Sequence, residues 1–137
     1  MAYATQADLV ARFTETEIGQ VADTDGSGEI DPALVARALA DADAEIDAAL
    51  AARYQLPLSN VPTLLTRIAC DLARFSLYTD QVPPVVELRY KNAVRLLADI
   101  AAGRVSLGLA TPPDAAAGGN AVAVKTPTRI FGPGLGY

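Results

Sequence analysis

Apolar residues recur at helical spacing from about residue 5 to residue 101, in five stretches separated by turn signals. Thr5 suits a helix N-cap and Asp8 the first turn, so a short helix over 5–13 would gather Leu9, Val10 and Phe13 on one side. Glu15 to Val21 gives a second short helix, ending at the glycines of Asp23-Thr-Asp-Gly-Ser-Gly28. Asp31-Pro32 starts a third, because Asp caps the free N–H groups and Pro fits the first helical position. From there to about Arg53 the stripe is Leu34, Val35, Ala38, Leu39, Ala42, Ile46, Ala49 and Leu50, with Arg37 and Asp41 spaced to pair at its edge. Gln55 to Pro62 breaks the helix. Leu64, Leu65, Ile68, Leu72 and Phe75 mark the next one, to about Thr79. Pro83-Pro84 opens the last, with Val86, Tyr90, Val94, Leu97 and Ala101 inward and Gly103 at the left-handed position past its end. The pattern predicts an all-α fold. It is a small antiparallel helical bundle of two short N-terminal and three longer helices, spanning residues 1–105.

The pattern stops after Gly103. The last 35 residues hold seven of the ten glycines and four of the nine prolines. Such a segment buries too little to offset its ordering entropy, so 106–137 reads as an extended or flexible arm. Ala121-Val-Ala-Val124 could form a short strand, while Arg129, Ile130, Phe131 and Tyr137 are anchor-type residues suited to pockets on a neighbouring subunit.

Composition narrows the chemistry. Of 70 apolar residues 27 are alanine, which favours helix while adding little burial energy. There is no histidine and one cysteine, Cys70. Triads, Cys-His dyads and zinc fingers are therefore excluded, and any metal would need oxygen ligands. No basic leader or membrane-length apolar run is visible, so the chain is expected in a reducing cytoplasm, at least at first. No acid/base constellation stands out, and the expectation is a protein that is not an enzyme.

Asp23, Asp25, Ser27, Glu29 and Asp31 follow the spacing of a calcium loop, with Gly28 at its sixth position. The twelfth position, which needs a bidentate carboxylate, holds Leu34. Two readings follow: a turn that caps the next helix, which the missing carboxylate favours, or a weak calcium-binding module. Asp41, Asp43, Glu45 and Asp47 crowd one helix, with Asp41 and Glu45 on a shared face that suits a solvated or partner-facing surface.

Charge is divided along the chain. Residues 1–52 carry 11 acidic and two basic residues, while 53–137 carry five acidic and nine basic, seven of them arginine, among them Arg89. Should the halves occupy different faces, copies would attract head to tail, a geometry that closes into rings. The net charge of −5 argues against a dedicated DNA-binding module.

Asp41-Ala-Asp-Ala-Glu-Ile-Asp47, Leu50, Arg53-Tyr54, Leu56-Pro57-Leu58, Tyr90-Lys-Asn-Ala93, Asp99-Ile100, Gly103 and Ser106-Leu-Gly108, with Tyr3-Ala-Thr5 and Asp8-Leu9 at the start, resemble a family of small Mu-like phage and prophage proteins. The resemblance covers about residues 1–109, and its motifs describe packing and turns. It implies a virion structural protein of the head–tail connector type, an adaptor or head-completion protein in the phage neck. The implied assembly is a twelvefold ring of this chain under the portal protein, also meeting a tail-completion or tail-terminator protein. DNA would pass through its lumen without specific binding, and no cofactor or membrane is involved. Arg129, Ile130, Phe131, Tyr137, Asp41, Glu45 and Arg89 are the interface candidates.

Overall fold

The computed structural model describes residues 1–109. Among these the chain forms five helices and no strand: α1 (Gln6–Phe13), α2 (Glu15–Val21), α3 (Pro32–Leu50), α4 (Thr63–Leu77) and α5 (Pro84–Ala101). The starts follow from the caps. Thr5 Oγ1 accepts the Asp8 N–H at 3.2 Å while the Asp8 carboxylate accepts the Thr5 N–H at 2.9 Å, a reciprocal box. Asp31 Oδ1 accepts the Ala33 N–H at 2.9 Å ahead of Pro32. At the other end of the chain's helices Gly103 takes φ +84°, as its cap position requires. No described helix is long and apolar enough to cross a membrane.

α3 and α4 pack together at the centre, α5 lies against α4, and α1 with α2 closes the remaining side. Leu34 near the start of α3 meets Leu77 at the end of α4, so these two run antiparallel. Leu9, Ile18, Ile46, Leu50, Leu65, Ile68, Leu72 and Ile100 are fully buried between the helices. Burial of each such side chain stabilises by about 1.5–3 kcal/mol against exposure.

Several local expectations change. α3 ends at Leu50 rather than Arg53, because the Arg53 and Tyr54 N–H groups both turn back to the Leu50 carbonyl. α4 stops at Leu77, before Thr79. Val94 is 38% exposed, and the inward face of α5 is Val86, Ala93, Leu97 and Ile100. α5 sits at the bundle edge and buries only this narrow stripe. Tyr90 is half-buried, stacked on Phe75 with ring centroids 3.9 Å apart. Arg37 and Asp41 are both exposed and form no ion pair. The proposed strand at 121–124 and the anchors Arg129, Ile130, Phe131 and Tyr137 lie outside the described residues.

Candidate functional site

The acidic loop between α2 and α3 is held by its own side chains. Asp23 accepts the N–H groups of Asp25, Gly26 and Gly28 at 3.1, 2.9 and 2.7 Å. Asp25 accepts from the Ser27 N–H, Ser27 Oγ from the Glu29 N–H, and Asp31 from the Thr24 hydroxyl. Hydrogen bonds to its ionised form hold the exposed Asp25 carboxyl below the usual range, the Ser27 side chain being the main donor. Among the described residues no three acidic or thiol groups converge as a metal cage. Asp31 at the end of the loop caps α3, and Leu34, at the loop's twelfth position, is half-buried against the core.

Five of its residues or near neighbours, Glu15, Asp23, Asp25, Glu29 and Asp31, put carboxylates at this end of the molecule, and Asp80 after α4 borders the same region. At the opposite end of α3, the Arg53 guanidinium lies over the backbone at Gly103, and Arg104 pairs with Asp99 at 2.8 Å. The sequence division of charge therefore becomes, in part, a division between the two ends of the bundle.

Within the helical body the opposite charges meet. Arg74, 9% exposed on α4, donates twice to Glu17 of α2, at 2.6 and 2.9 Å, and Tyr78 donates its hydroxyl to the same carboxylate at 3.0 Å. The Arg74 guanidinium lies 4.2 Å above the Phe13 ring, with that of Arg89 at 5.5 Å. Arg89 in turn donates to the buried Asp71 at 3.0 Å. These contacts tie α1, α2, α4 and α5 together, and occupy one side of the interface candidate Arg89, which keeps 40% of its side chain exposed.

The acidic run on α3 splits into two functions by face. Asp43 and Asp47 also lie one turn apart and turn toward the N-terminal segment. Asp43 accepts the Tyr3 N–H at 3.1 Å, while Asp47 accepts the Tyr3 hydroxyl and the Met1 ammonium. Burial raises the pKa of Asp43, against the pull of the Tyr3 N–H. Asp41 and Glu45 remain exposed, on the face left to solvent or a partner. Cys70 is fully buried, its thiol pushed up to about 11 by desolvation and so held protonated.

The bacteriophage Mu Gp36 family model matches residues 3–126. The chain belongs to the Mu Gp36 family. The Mu-like prophage FluMu protein gp36 of Haemophilus influenzae is 32% identical over 130 residues, covering 95% of this chain and 92% of the relative. Gene product J of Escherichia phage Mu is 40% identical over 110 residues, 80% of this chain and 78% of its own.

For this Gp36-family chain the sequence located the acidic loop and the Asp41/Glu45 face. It missed the Glu17–Arg74–Phe13–Arg89–Asp71 cluster and the tethering of Tyr3. Val85 and Leu88, 56% and 57% exposed on the outer side of α5, were also not singled out. The surface hollows divide in kind. One of about 710 Å³ beside the acidic loop is lined by Glu15, Gln20, Glu29 and Ile30 and is mainly polar. One of about 190 Å³ between α2, α3 and α4 has walls of Val21, Leu34, Ala38 and Leu77.

Proposed function

We propose that this chain is a structural subunit of the phage particle, a head–tail connector that forms a ring between portal and tail. Membership in a Mu family supports a role in phage assembly. The observation that carries the finer reading is the polarity of the bundle: carboxylates gather at the loop end, while the other end holds Arg53, with Arg104 there already paired to Asp99. Such a body attracts its own copies head to tail, and a heterologous contact closes into a ring when its rotation permits.

Exposed Val85 and Leu88 on α5 provide apolar surface for the same assembly. The net charge of −5 suits a lumen that lets DNA pass without gripping it. The reading needs no metal or cofactor, and it assigns the protein to the neck of the virion after assembly in the host cytoplasm. Its partners are further copies of itself, the portal protein and a tail-completion or tail-terminator protein; twelve copies would match the ring that the resemblance implies.

Native mass spectrometry of the protein with and without its portal tests this. A defined multimer bound to the portal is expected. A monomer that ignores the portal at all concentrations contradicts it.

A further inference from the structure

A groove walled by Val21, Leu34, Ala38 and Leu77 lies open between α2, α3 and α4. We propose that it receives Arg129-Ile-Phe131 of a neighbouring copy, an inference that rests on the ring reading above. The hollow measures about 190 Å³, below the roughly 300 Å³ at which small-molecule clefts begin, and so suits a single side chain. Its apolar walls come from three helices, while Asp41 stands exposed at the rim without an ion-pair partner among the described residues. Arg37 shares that rim, so an arriving cation must settle on the Asp41 side.

The shape and charge call for a large apolar side chain with a cation close by in sequence. Beyond residue 109 the cations are Lys125 and Arg129 and the aromatics Phe131 and Tyr137. Only Arg129 and Phe131 stand within two residues of each other. In an extended segment residues two apart point to the same side, so Phe131 would enter the groove while Arg129 reaches Asp41.

Reach and direction also fit. The described residues end close to Tyr54, whose hydroxyl accepts the Leu107 N–H at 3.2 Å. That is the C-terminal end of α3, whereas the groove lies along its first half. The twenty residues from Leu109 to Arg129 can span up to about 66 Å, against about 28 Å for the 19 residues of α3. A donor leaving one end and a receptor toward the other link copies head to tail.

Cysteine trapping in the full-length chain tests the contact. Thr79 on the groove wall is exposed, and native Cys70 is too buried to compete. Thr79→Cys and Phe131→Cys proteins are mixed and oxidised, and the linked peptides are identified by mass. The expected result is a heterodimer joined between positions 79 and 131, at least fivefold above either protein alone. Adding Asp41→Arg to the Thr79→Cys protein, with helicity checked by circular dichroism, should cut that yield severalfold.

No heterodimer above background overturns the proposal, as does a yield that Asp41→Arg leaves unchanged. A double variant that links only within one chain overturns it too, placing the segment on its own body. A failed trap beside an intact portal-bound ring removes the groove assignment alone, while a successful trap without any portal complex removes the connector reading alone.

Discussion

Arg74 joins positions 57 residues apart through a bidentate, part-buried contact with Glu17. Removing it strands a part-buried carboxylate and uncovers the Phe13 ring. Arg74→Ala should therefore cost about 3 kcal/mol in urea denaturation, and the double change with Glu17→Ala should cost less than the sum of the two. Neither partner was legible in the sequence, because helical periodicity reports which face is buried and not which distant charge meets it there. Asp71 escaped notice for the same reason. The loop residues were legible because their hydrogen bonds are local, from Asp23 to Gly28. Since Leu34 replaces the closing carboxylate, millimolar calcium should leave the melting temperature unchanged within about 1 °C. A saturable rise would revive the calcium module.

Titration makes a residue-scale prediction of definite sign. Burial raises the pKa of Cys70 to about 11 and also raises those of Tyr3 and Tyr78, each of which donates its hydroxyl to a carboxylate. The fold thus favours the neutral form of all three. The stability this gives is complete below their ordinary values, 9.0 for the thiol and 10.0 for the phenols, and is lost as pH rises through the raised ones. The urea midpoint should fall between pH 9 and pH 11, and Cys70→Ala should reduce that fall.

At the scale of elements, α2 shows how packing overrules propensity. Gly19 is helical, so alanine there would ordinarily stabilise by roughly 1 kcal/mol. A Cβ at that position would stand 2.7 Å from the Gly28 carbonyl oxygen, backbone of the acidic loop that cannot yield without breaking its Asp23 contacts. Gly19→Ala should instead destabilise by about 1–3 kcal/mol, read from the thermal or urea midpoint. The five helices themselves were legible because each start carried a capping residue or a proline, and the three longer ones a periodic stripe as well. α5 was the partial exception: Val94 fits the predicted stripe, yet the helix packs at the edge of the bundle and turns Ala93 inward instead. Sequence periodicity gives a stripe its width only when the number of neighbouring helices is known.

For the whole molecule, the fully buried side chains among the described residues come from 9–100 and form one continuous core between the five helices. A chain ending at residue 109 should keep its helicity and melt within a few degrees of the full chain, yet fail to join the portal. If the shortened chain joins it normally, the arm has no part in assembly. The division of charge seen along the sequence is partly spent inside the bundle, at Glu17–Arg74, and partly displayed between its ends. That remainder supports head-to-tail assembly. It could not be separated from the internal share before the helices were placed.

The central claim is a ring of this chain between portal and tail. Electron cryomicroscopy of necks from purified particles addresses it directly. The account predicts a closed ring of five-helix subunits beneath the portal, with the loop end of each subunit facing the next copy. Its absence from the neck of mature particles, or its presence only as isolated copies elsewhere in the virion, would contradict the account.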